Sequence, residues 1–522
     1  MTLVSDDRTE VLEREQAPPA APSRPESTWS QMAQARVAAL PTRYWLGLTL
    51  LVGLLLRLVN LNAFGFNSDE AVYAGQSASL AGNPLFVNQF PIFRAHPLLL
   101  QSLLSPLFSS GTPDLRGRVV VAFLGVATLF AIYLVGKELY GPRTGVLGAA
   151  ILALMPYHLV VTRQVLLDGP SVLCITLAFW MLARFVRTDR LEWLAASAAT
   201  LGLGVLTKET AVVLTGALVL FLLISPEVRR PARSVALALM IVAGVSLVFP
   251  LAISVAGHSS TGQNYLTWQL SRSSNHAETF YLTTVPAAIG WLVVMAAAGA
   301  LLFRVNRTWR ELMLVLWIGV PFVTFEVYPL KGFQYLLPLA PPLALLAARG
   351  LATWHLPAKW SGAGRIARPV AIAVVLASLI PSAWTVIFPS AQASALAGQG
   401  GVPGGREAGQ WIGRHLVPGT ELMTVGPSMA NILEYYGHRP ALGLSVSSNP
   451  LHRNPAYTPI LNPDLSVRDG QFGYLVWDAY SASRSPSTSR RLERLVARYH
   501  GLPVHTVDAG GRPIIVIYEV HP

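Results

Sequence analysis

The sequence has a single cysteine, Cys174, among 522 residues. An intrachain disulfide is therefore excluded, and so is a metal site built from cysteines. Only 13% of the residues are charged, whereas 52% are hydrophobic, which is too apolar for an ordinary soluble chain of several domains. The chain is predicted to be an integral membrane protein.

A dense basic block with interleaved aromatic residues is also missing, although the formal net charge is +12. Nucleic-acid binding is therefore not expected, and the basic residues are better explained by membrane topology and contact with membrane lipids. Residues 1–43, rich in Pro and Ala, are predicted to be a disordered cytoplasmic tail without a signal-peptide cleavage site.

Apolar runs of about 17 to 23 residues predict about eleven transmembrane helices, because this length crosses a bilayer core. Every second connection is rich in Arg and Lys, as in "RFVRTDR" and "PEVRRPAR", which places those connections and the N-terminus on the cytoplasmic side. An odd number of helices then places the C-terminus outside the cell membrane. The predicted spans lie near residues 44–61, 117–136, 144–161, 169–186, 192–206, 210–225, 234–256, 284–303, 311–328, 333–350 and 369–388.

Two outward segments, 62–116 and 257–283, are long. The first contains "HPLLLQSLLSPLF", which is too short to cross a bilayer and is predicted to be a helix along the membrane surface. Residues 389–404 are predicted to be a linker, and 405–522 a small extracytoplasmic α/β domain, because helix and strand patterns alternate there. The predicted helices are "REAGQWIGRHL", "NILEYYGHRP" and "RRLERLVARYHG", and the predicted strands are "ELMTVG", "FGYLVWDAY" and "RPIIVIYEV".

The stretch "FNSDEAVYAG" places two acids, Asp69 and Glu70, shortly after the first apolar run. A structural explanation is a helix capped by Ser68, with the acids in its first turn where the helix dipole favours negative charge. However, other outward helix ends also carry polar or ionisable residues at the membrane boundary, where charge is costly and usually functional. These candidate substrate-binding residues are Arg57, His96, Arg163, Asp168, Lys208, Glu209, Lys331, Gln334 and Tyr335.

Several of these residues also have structural explanations. Asp168 could cap the fourth transmembrane helix, and Arg57 could extend its charge towards the membrane interface. Lys331 could anchor the tenth transmembrane helix at the interface. Lys208 differs, because a lysine in a first helical turn opposes the dipole and an anion beside it would explain its place. A carboxylate base beside cations suits the transfer of a sugar from a polyprenyl phosphate, whose leaving group is an anion anchored in the bilayer.

The order "DEAVYA", "HPLL", "LLDGP", "TKE" and "QYLLP" resembles the bacterial GT-C glycosyltransferases of family 39, the PMT_2 type, over about residues 44–350. This family includes enzymes similar to protein O-mannosyltransferases and aminoarabinose transferases. The resemblance implies a helical catalytic domain over 44–388, with inverting transfer of a hexosyl or pentosyl group from a polyprenyl-phosphate donor. The acceptor would be a hydroxyl or amine of a protein, lipid or glycan in the cell envelope.

The resemblance also implies roles for particular residues. Asp69 corresponds to the catalytic base, with Glu70 beside it at the helix start, and Arg163 and Asp168 correspond to the next outward turn. No cofactor is certain, but Asp69 and Asp168 are hard oxygen ligands that suit a divalent cation, Mg²⁺ or Mn²⁺.

Two elements differ from many relatives. "RAHPL" places Arg94, Ala95 and His96 where an acid, a lysine and a proline would stand, and Gln334 replaces the usual Arg before Tyr335. Recognition of the donor phosphate is therefore expected from His96, Arg94 or Lys331.

Two other functional classes remain open at this point. A secondary transporter would place its ionisable groups near the bilayer midplane, often in repeated halves. A scaffold would only present the α/β domain to a partner. Convergence of Asp69, Arg163 and Asp168 around one substrate would favour the enzyme.

Overall fold

The computed structural model describes residues 41–94, 96–111, 114–272, 274–302, 308–353, 361–390 and 402–521. Nearly all of the predicted tail and most of the predicted linker lie outside these ranges. The described chain consists of a helical part followed by a mixed α/β region.

The helical part contains seventeen α-helices in the described ranges. They are α1 (Thr42–Leu58), α2 (Ser68–Leu80), α3 (Leu99–Leu104), α4 (Asp114–Tyr140), α5 (Pro142–Leu154), α6 (Pro156–Val161), α7 (Asp168–Thr188), α8 (Leu191–Thr207), α9 (Val213–Ile224), α10 (Pro231–Ser246), α11 (Val248–Val255), α12 (Ser259–Ser271), α13 (Phe280–Ile289), α14 (Trp291–Leu302), α15 (Trp309–Val327), α16 (Ala340–Thr353) and α17 (Ser361–Ile387). Short 3₁₀ segments are Ser105–Phe108, Glu209–Val212 and Phe333–Leu339.

Five helices in the described ranges are long and apolar enough to cross a membrane, and a bent pair makes up to six. The five are Asp114–Tyr140, Asp168–Thr188, Pro231–Val255, Phe333–Thr353 and Ile366–Ile387. The chain is therefore a multi-span helical membrane protein, as predicted.

Several predicted spans are shorter or interrupted. The run near 144–161 divides into α5 and α6, because Pro156 cannot continue the hydrogen bonding of the preceding helix. The run near 284–303 divides into α13 and α14, which meet at an angle of 99° around Gly290. Gly290 has a φ of +101°, a conformation that a residue with a side chain rarely adopts.

Close helix packing in this part depends on small residues, as is usual in membranes. A Cβ atom on Gly136 of α4 would lie 2.5 Å from the Cα of Gly145 of α5. The two backbones therefore approach too closely for any larger residue at this crossing. Deeper in the bundle, Trp317 of α15 stacks on Phe179 of α7 with ring centroids 4.2 Å apart.

Segment 62–116, which was predicted to face outward, contains two short helical pieces among its described residues, as predicted. Helix α2 carries the two acids, and α3 with the 3₁₀ segment Ser105–Phe108 forms the second piece. The cap of α2 differs from the prediction, since Asn67 and not Ser68 accepts the hydrogen bond from the Glu70 amide.

The α/β region has five strands in the order β2-β1-β3-β5-β4. Strand β1 is parallel to β2 and β3, and β5 is antiparallel to β3 and β4. The strands are β1 (Glu421–Thr424), β2 (Ala441–Gly443), β3 (Phe472–Asp478), β4 (Leu502–Ala509) and β5 (Arg512–Glu519). The helices are α18 (Gly405–His415), α19 (Pro427–Gly437), α20 (Pro463–Arg468), α21 (Ala479–Arg484) and α22 (Pro486–Arg498).

The α/β region packs on segment 62–116 through a polar contact at Asp114. The Asp114 carboxylate accepts hydrogen bonds from Arg406 Nε at 2.9 Å and from the Tyr436 hydroxyl at 2.5 Å. The same hydroxyl accepts a hydrogen bond from the Phe66 amide at 2.8 Å. Gly65 lies against Arg406, because a Cβ atom there would be 2.7 Å from the Arg406 Cβ. The region is thereby fixed next to α2.

Candidate functional site

The first turn of α2 is held by a buried ion pair. Glu70 completes a capping box with Asn67 and is fully buried. Its carboxylate accepts two hydrogen bonds from Arg118 of α4, at 2.8 and 2.7 Å. It also accepts one from the Val165 amide at 2.9 Å, in the turn before α7. Glu70, predicted beside the catalytic base, thus joins three elements and orients the helix start.

Glu70→Gln is expected to destabilise the fold strongly, because it leaves the buried Arg118 without its carboxylate. Removing one partner of a buried pair typically costs about 3–5 kcal/mol. The apparent melting temperature of the purified full chain should fall, whereas Glu192→Gln, in an exposed pair with Arg190, should change it little. Equal effects of the two substitutions would contradict this role.

Asp69, one residue earlier, has a different environment. It is half-buried, and its carboxylate has no hydrogen-bond or ion-pair partner among the described residues. Burial, and then the carboxylates of Asp69, Asp168 and Glu209, raise the pKa of Tyr73 well above its usual value. Three carboxylates therefore act on one buried tyrosine, and of the three only Asp69 is not in an ion pair among the described residues.

Lys208 and Asp168 form a second buried pair. Their Nζ and Oδ1 atoms are 2.6 Å apart, and the two residues are only 5% and 6% exposed. Lys208 was predicted to lie in a first helical turn. This is wrong, because its backbone is extended and it directly precedes the 3₁₀ segment Glu209–Val212. Asp168 begins α7 but binds Lys208 and makes no cap hydrogen bond. The Lys208 ammonium lies 5.2 Å from the ring centroid of Tyr335.

His96 and Glu209 form the third pair. Both Glu209 carboxylate oxygens lie within 3.0 Å of His96 Nδ1. The His96 ring is in edge contact with Tyr73 and Tyr265, with ring centroids 5.8 and 5.6 Å away. Burial lowers the pKa of His96, but the Glu209 carboxylate raises it, and the net pKa is above the usual value.

The His96–Glu209 pair should weaken as the pH rises. A raised pKa means that the folded protein favours protonated His96, so the pair is present below the usual histidine pKa of about 6.5. Its stabilisation is lost as the pH rises through the raised pKa. Melting temperatures measured against pH should show this loss in the wild type and a smaller one in Glu209→Gln. Superimposable profiles would contradict the pairing.

Arg57 lies apart from these pairs, inside the helical part. It is fully buried, its Nε donates to the Thr162 hydroxyl at 3.0 Å, and its Nη2 lies 2.8 Å from His158 Nδ1. Its Nη1 donates to the Gly53 carbonyl one turn earlier. Arg57 therefore joins α1 to α6, and its predicted contact with the donor stays a prediction.

Arg163 caps the carboxyl end of α1. Its guanidinium donates to backbone carbonyls that end this helix, at 2.7 to 3.2 Å. These are the carbonyls of Leu56, Arg57, Val59 and Asn60. Of the three residues expected to converge, Asp69 and Asp168 both act electrostatically on Tyr73, whereas Arg163 is directed to the end of α1.

Lys331 has a similar structural role at the end of α15. Its Nζ donates to the Phe325 carbonyl at 3.2 Å and also to the Glu326 carbonyl. Gln334, three residues on, is half-buried, and its side chain makes no hydrogen bond among the described residues. Of this predicted group, only Tyr335 reaches the cluster, through Lys208.

The described residues do not fit a resident divalent cation. They contain no group of three or more His, Cys, Asp and Glu side chains arranged to hold one. The predicted ligand Asp168 is instead paired with the Lys208 ammonium, at 2.6 Å from its Oδ1 atom.

Two tyrosines of this site, Tyr73 and Tyr265, were missed by sequence reasoning. Tyr73 follows Asp69 by four residues on α2, a spacing that places both on one helix face and could have indicated it. Tyr265 reaches His96 from α12, and no local pattern links the two. The α/β region also lies beside the site, because Asn431 of α19 donates a hydrogen bond to the Ser68 hydroxyl. Burial raises the pKa of Tyr480 in α21, Arg484 opposes this, and the Asp69 carboxylate adds to it.

These pairs, Asp69 and the surrounding tyrosines form one cluster, which we name the α2–α8 cluster. It consists of Asp69, Tyr73, His96, Asp168, Lys208, Glu209, Tyr265 and Tyr335. The chain therefore has the general plan of a multi-span membrane protein that holds a buried polar cluster next to an appended α/β region.

Comparisons with known proteins agree with this class. Residues 96–253 match the family model PMT_2, described as dolichyl-phosphate-mannose-protein mannosyltransferase. YycA, a Bacillus subtilis (strain 168) protein named for mannosyltransferase activity, is 29% identical over 177 residues, which are 32% of this chain. The aligned segment spans only 26% of YycA. The predicted resemblance to PMT_2-type GT-C glycosyltransferases is confirmed.

Solved structures show the same fold over most of the chain. ArnT from Cupriavidus metallidurans, bound to undecaprenyl phosphate, matches with a TM-score of 0.63 and 18% identity, covering 91% of this chain and 98% of ArnT. The Archaeoglobus fulgidus oligosaccharyltransferase AglB, in complex with an inhibitory peptide and a dolichol-phosphate, matches with a TM-score of 0.59 and 12% identity. This match covers 88% of this chain and 72% of AglB.

Proposed function

We propose that this protein is a membrane glycosyltransferase that moves a sugar from a polyprenyl-phosphate donor to a hydroxyl or amine of an acceptor. The observation that carries the proposal is the α2–α8 cluster, in which the unpaired Asp69 carboxylate lies near a buried Lys208–Asp168 pair. The match of residues 96–253 to the PMT_2 model supports it, as does the fold shared with an ArnT structure bound to undecaprenyl phosphate.

The proposed reaction is an inverting displacement. Asp69 takes the proton of the acceptor group while its oxygen or nitrogen forms a bond to the anomeric carbon of the sugar. The bond between that carbon and the phosphate oxygen breaks, and its electron pair leaves with the polyprenyl phosphate. We assign the stabilisation of this phosphate to Lys208, because Arg163 and Lys331 donate to helix-end carbonyls instead.

The topology is proposed from the sequence and from the location of the cluster. Eleven spans over residues 44–388 would place the cluster and residues 405–522 on the outer face of the cell membrane, with residues 1–43 in the cytoplasm. Helices shorter than a full span, such as α5 and α8, would count among the eleven. The acceptor, a protein, lipid or glycan, would then reach Asp69 from the aqueous side.

The donor can be identified by turnover. Membranes containing the full chain would be supplied with radiolabelled polyprenyl-phosphate sugars, including mannosyl and aminoarabinosyl donors, and with an envelope acceptor fraction. We expect transfer from one donor of the panel, above membranes that lack the protein. Uptake of free solute by reconstituted vesicles, with no transfer from any donor, would favour the transporter instead.

We further propose that transfer needs no added divalent cation, because the Lys208 ammonium supplies the positive charge beside Asp168. Transfer measured with and without excess EDTA should be equal. Loss of transfer in EDTA with recovery on adding Mg²⁺ or Mn²⁺ would contradict this and support the predicted cation at Asp69 and Asp168.

A further inference from the structure

One side chain of the α/β region contacts both segments that carry the proposed reaction. Asn431 of α19 is 1% exposed. Its Nδ2 donates to the Ser68 hydroxyl at 2.9 Å, directly before Asp69. Its Oδ1 accepts a hydrogen bond from Arg94 Nη2 at 3.3 Å, two residues before His96.

The second contact is reinforced from within the α/β region. Tyr457 accepts a hydrogen bond from Asn431 Nδ2 at 3.1 Å, and its ring centroid lies 5.0 Å from the Arg94 guanidinium carbon. A cation over an aromatic ring gains about 0.5–2 kcal/mol, depending on its desolvation. Arg94 is thus held by two residues of the α/β region. Because His96 follows Arg94 by only two residues, these contacts also restrain the position of His96.

The two contacts of Asn431 complement the buried ion pair of Glu70. Arg118 fixes the start of α2 from the helical part, whereas Asn431 fixes it from the α/β region. Asp69 lies between Ser68 and Glu70 and is therefore constrained on both sides. A carboxylate base is effective only when it is held within hydrogen-bond reach of the acceptor group.

We propose that Asn431 is a positioning residue of the α2–α8 cluster, which makes the α/β region part of the catalytic unit. Through Ser68 and Arg94 it fixes the orientation of Asp69 relative to His96. This inference rests on the proposed function. It assigns to the α/β region a task in the chemical step, separate from any binding of the acceptor.

Kinetics of the full chain in membranes test the proposal. Asn431→Ala is expected to lower kcat at least tenfold while KM for the lipid donor changes less than twofold. Asn431→Asp should retain most of kcat, because its oxygens can accept hydrogen bonds from both Arg94 and the Ser68 hydroxyl. The matched control is Asn462→Ala, which removes the N-cap of α20 in the same region and should leave kcat unchanged.

A double-substitution cycle separates positioning from general destabilisation. If Asn431 acts partly through Ser68, the fold-decrease of kcat in the double variant should be smaller than the product of the decreases in Asn431→Ala and Ser68→Ala. Unchanged kcat in Asn431→Ala, or an equal loss in Asn462→Ala, would overturn the proposal.

Hydrogen exchange provides a measurement that does not depend on activity. Amides in the first turns of α2 should exchange faster in Asn431→Ala than in the wild type or Asn462→Ala. Exchange equal to that of the wild type would overturn the proposed contact. Wild-type protein that transfers no sugar would instead refute the proposed function, and the exchange result would still decide whether Asn431 holds α2.

Discussion

Asp69→Asn is expected to reduce sugar transfer by about 10²–10⁴-fold, the usual contribution of a positioned general base. The amide has nearly the same shape as the carboxylate but cannot take the proton of the acceptor. Because the Asp69 side chain makes no hydrogen bond or ion pair among the described residues, the substitution should leave the melting temperature nearly unchanged. The measurement is initial-rate transfer in membranes that contain equal amounts of folded protein.

The matched control for this substitution is Asp189→Asn. Asp189 is exposed, pairs with Arg229 at 3.2 Å, and belongs to a basic connection predicted on the opposite side of the membrane. The Asp189→Asn variant should transfer sugar at the wild-type rate. Transfer by Asp69→Asn within about twofold of the wild type would refute the assignment of the base.

Lys208→Met is expected to lower transfer by about 10²–10³-fold, the cost of removing one group that stabilises developing negative charge. It should also destabilise the protein, because Asp168 would remain buried without its partner. The double variant Lys208→Met with Asp168→Asn removes the unpaired charge, so it should recover stability but not transfer.

The control for lost charge is Lys137→Met at the exposed end of α4, which should change neither transfer nor stability. Recovery of transfer in the double variant would contradict the role of Lys208 with the phosphate. It would assign the ion pair a purely structural role.

Much of the α/β region was predicted from the sequence, because several of its helices and strands show a clear hydrophobic periodicity. The amphipathic helix α22 and strands β3 and β5 were each found, and α19 contains most of the predicted run "NILEYYGHRP". Strand β2 has only three residues, too few to show alternation. Strand β4 was missed because it is an edge strand whose residues are mostly exposed, so hydrophobic alternation does not mark it.

The members of the candidate site were only partly predictable. Asp69, Asp168 and Lys208 were identified from their place at outward helix ends, and the structure brings them together. The same argument also selected Arg163 and Lys331, whose charges are satisfied by backbone carbonyls at the ends of α1 and α15. Sequence alone could not separate these cases, because the unpaired carbonyls of a helix end become partners only in three dimensions.

Binding of polyprenyl phosphate is the most direct test that the α2–α8 cluster holds the lipid donor. Purified wild-type protein, Lys208→Met and Lys137→Met would be titrated with radiolabelled undecaprenyl phosphate in nanodiscs. We expect wild type and Lys137→Met to bind equally and Lys208→Met to bind at least tenfold more weakly. Equal affinity in all three proteins would contradict the placement of the donor phosphate beside Lys208.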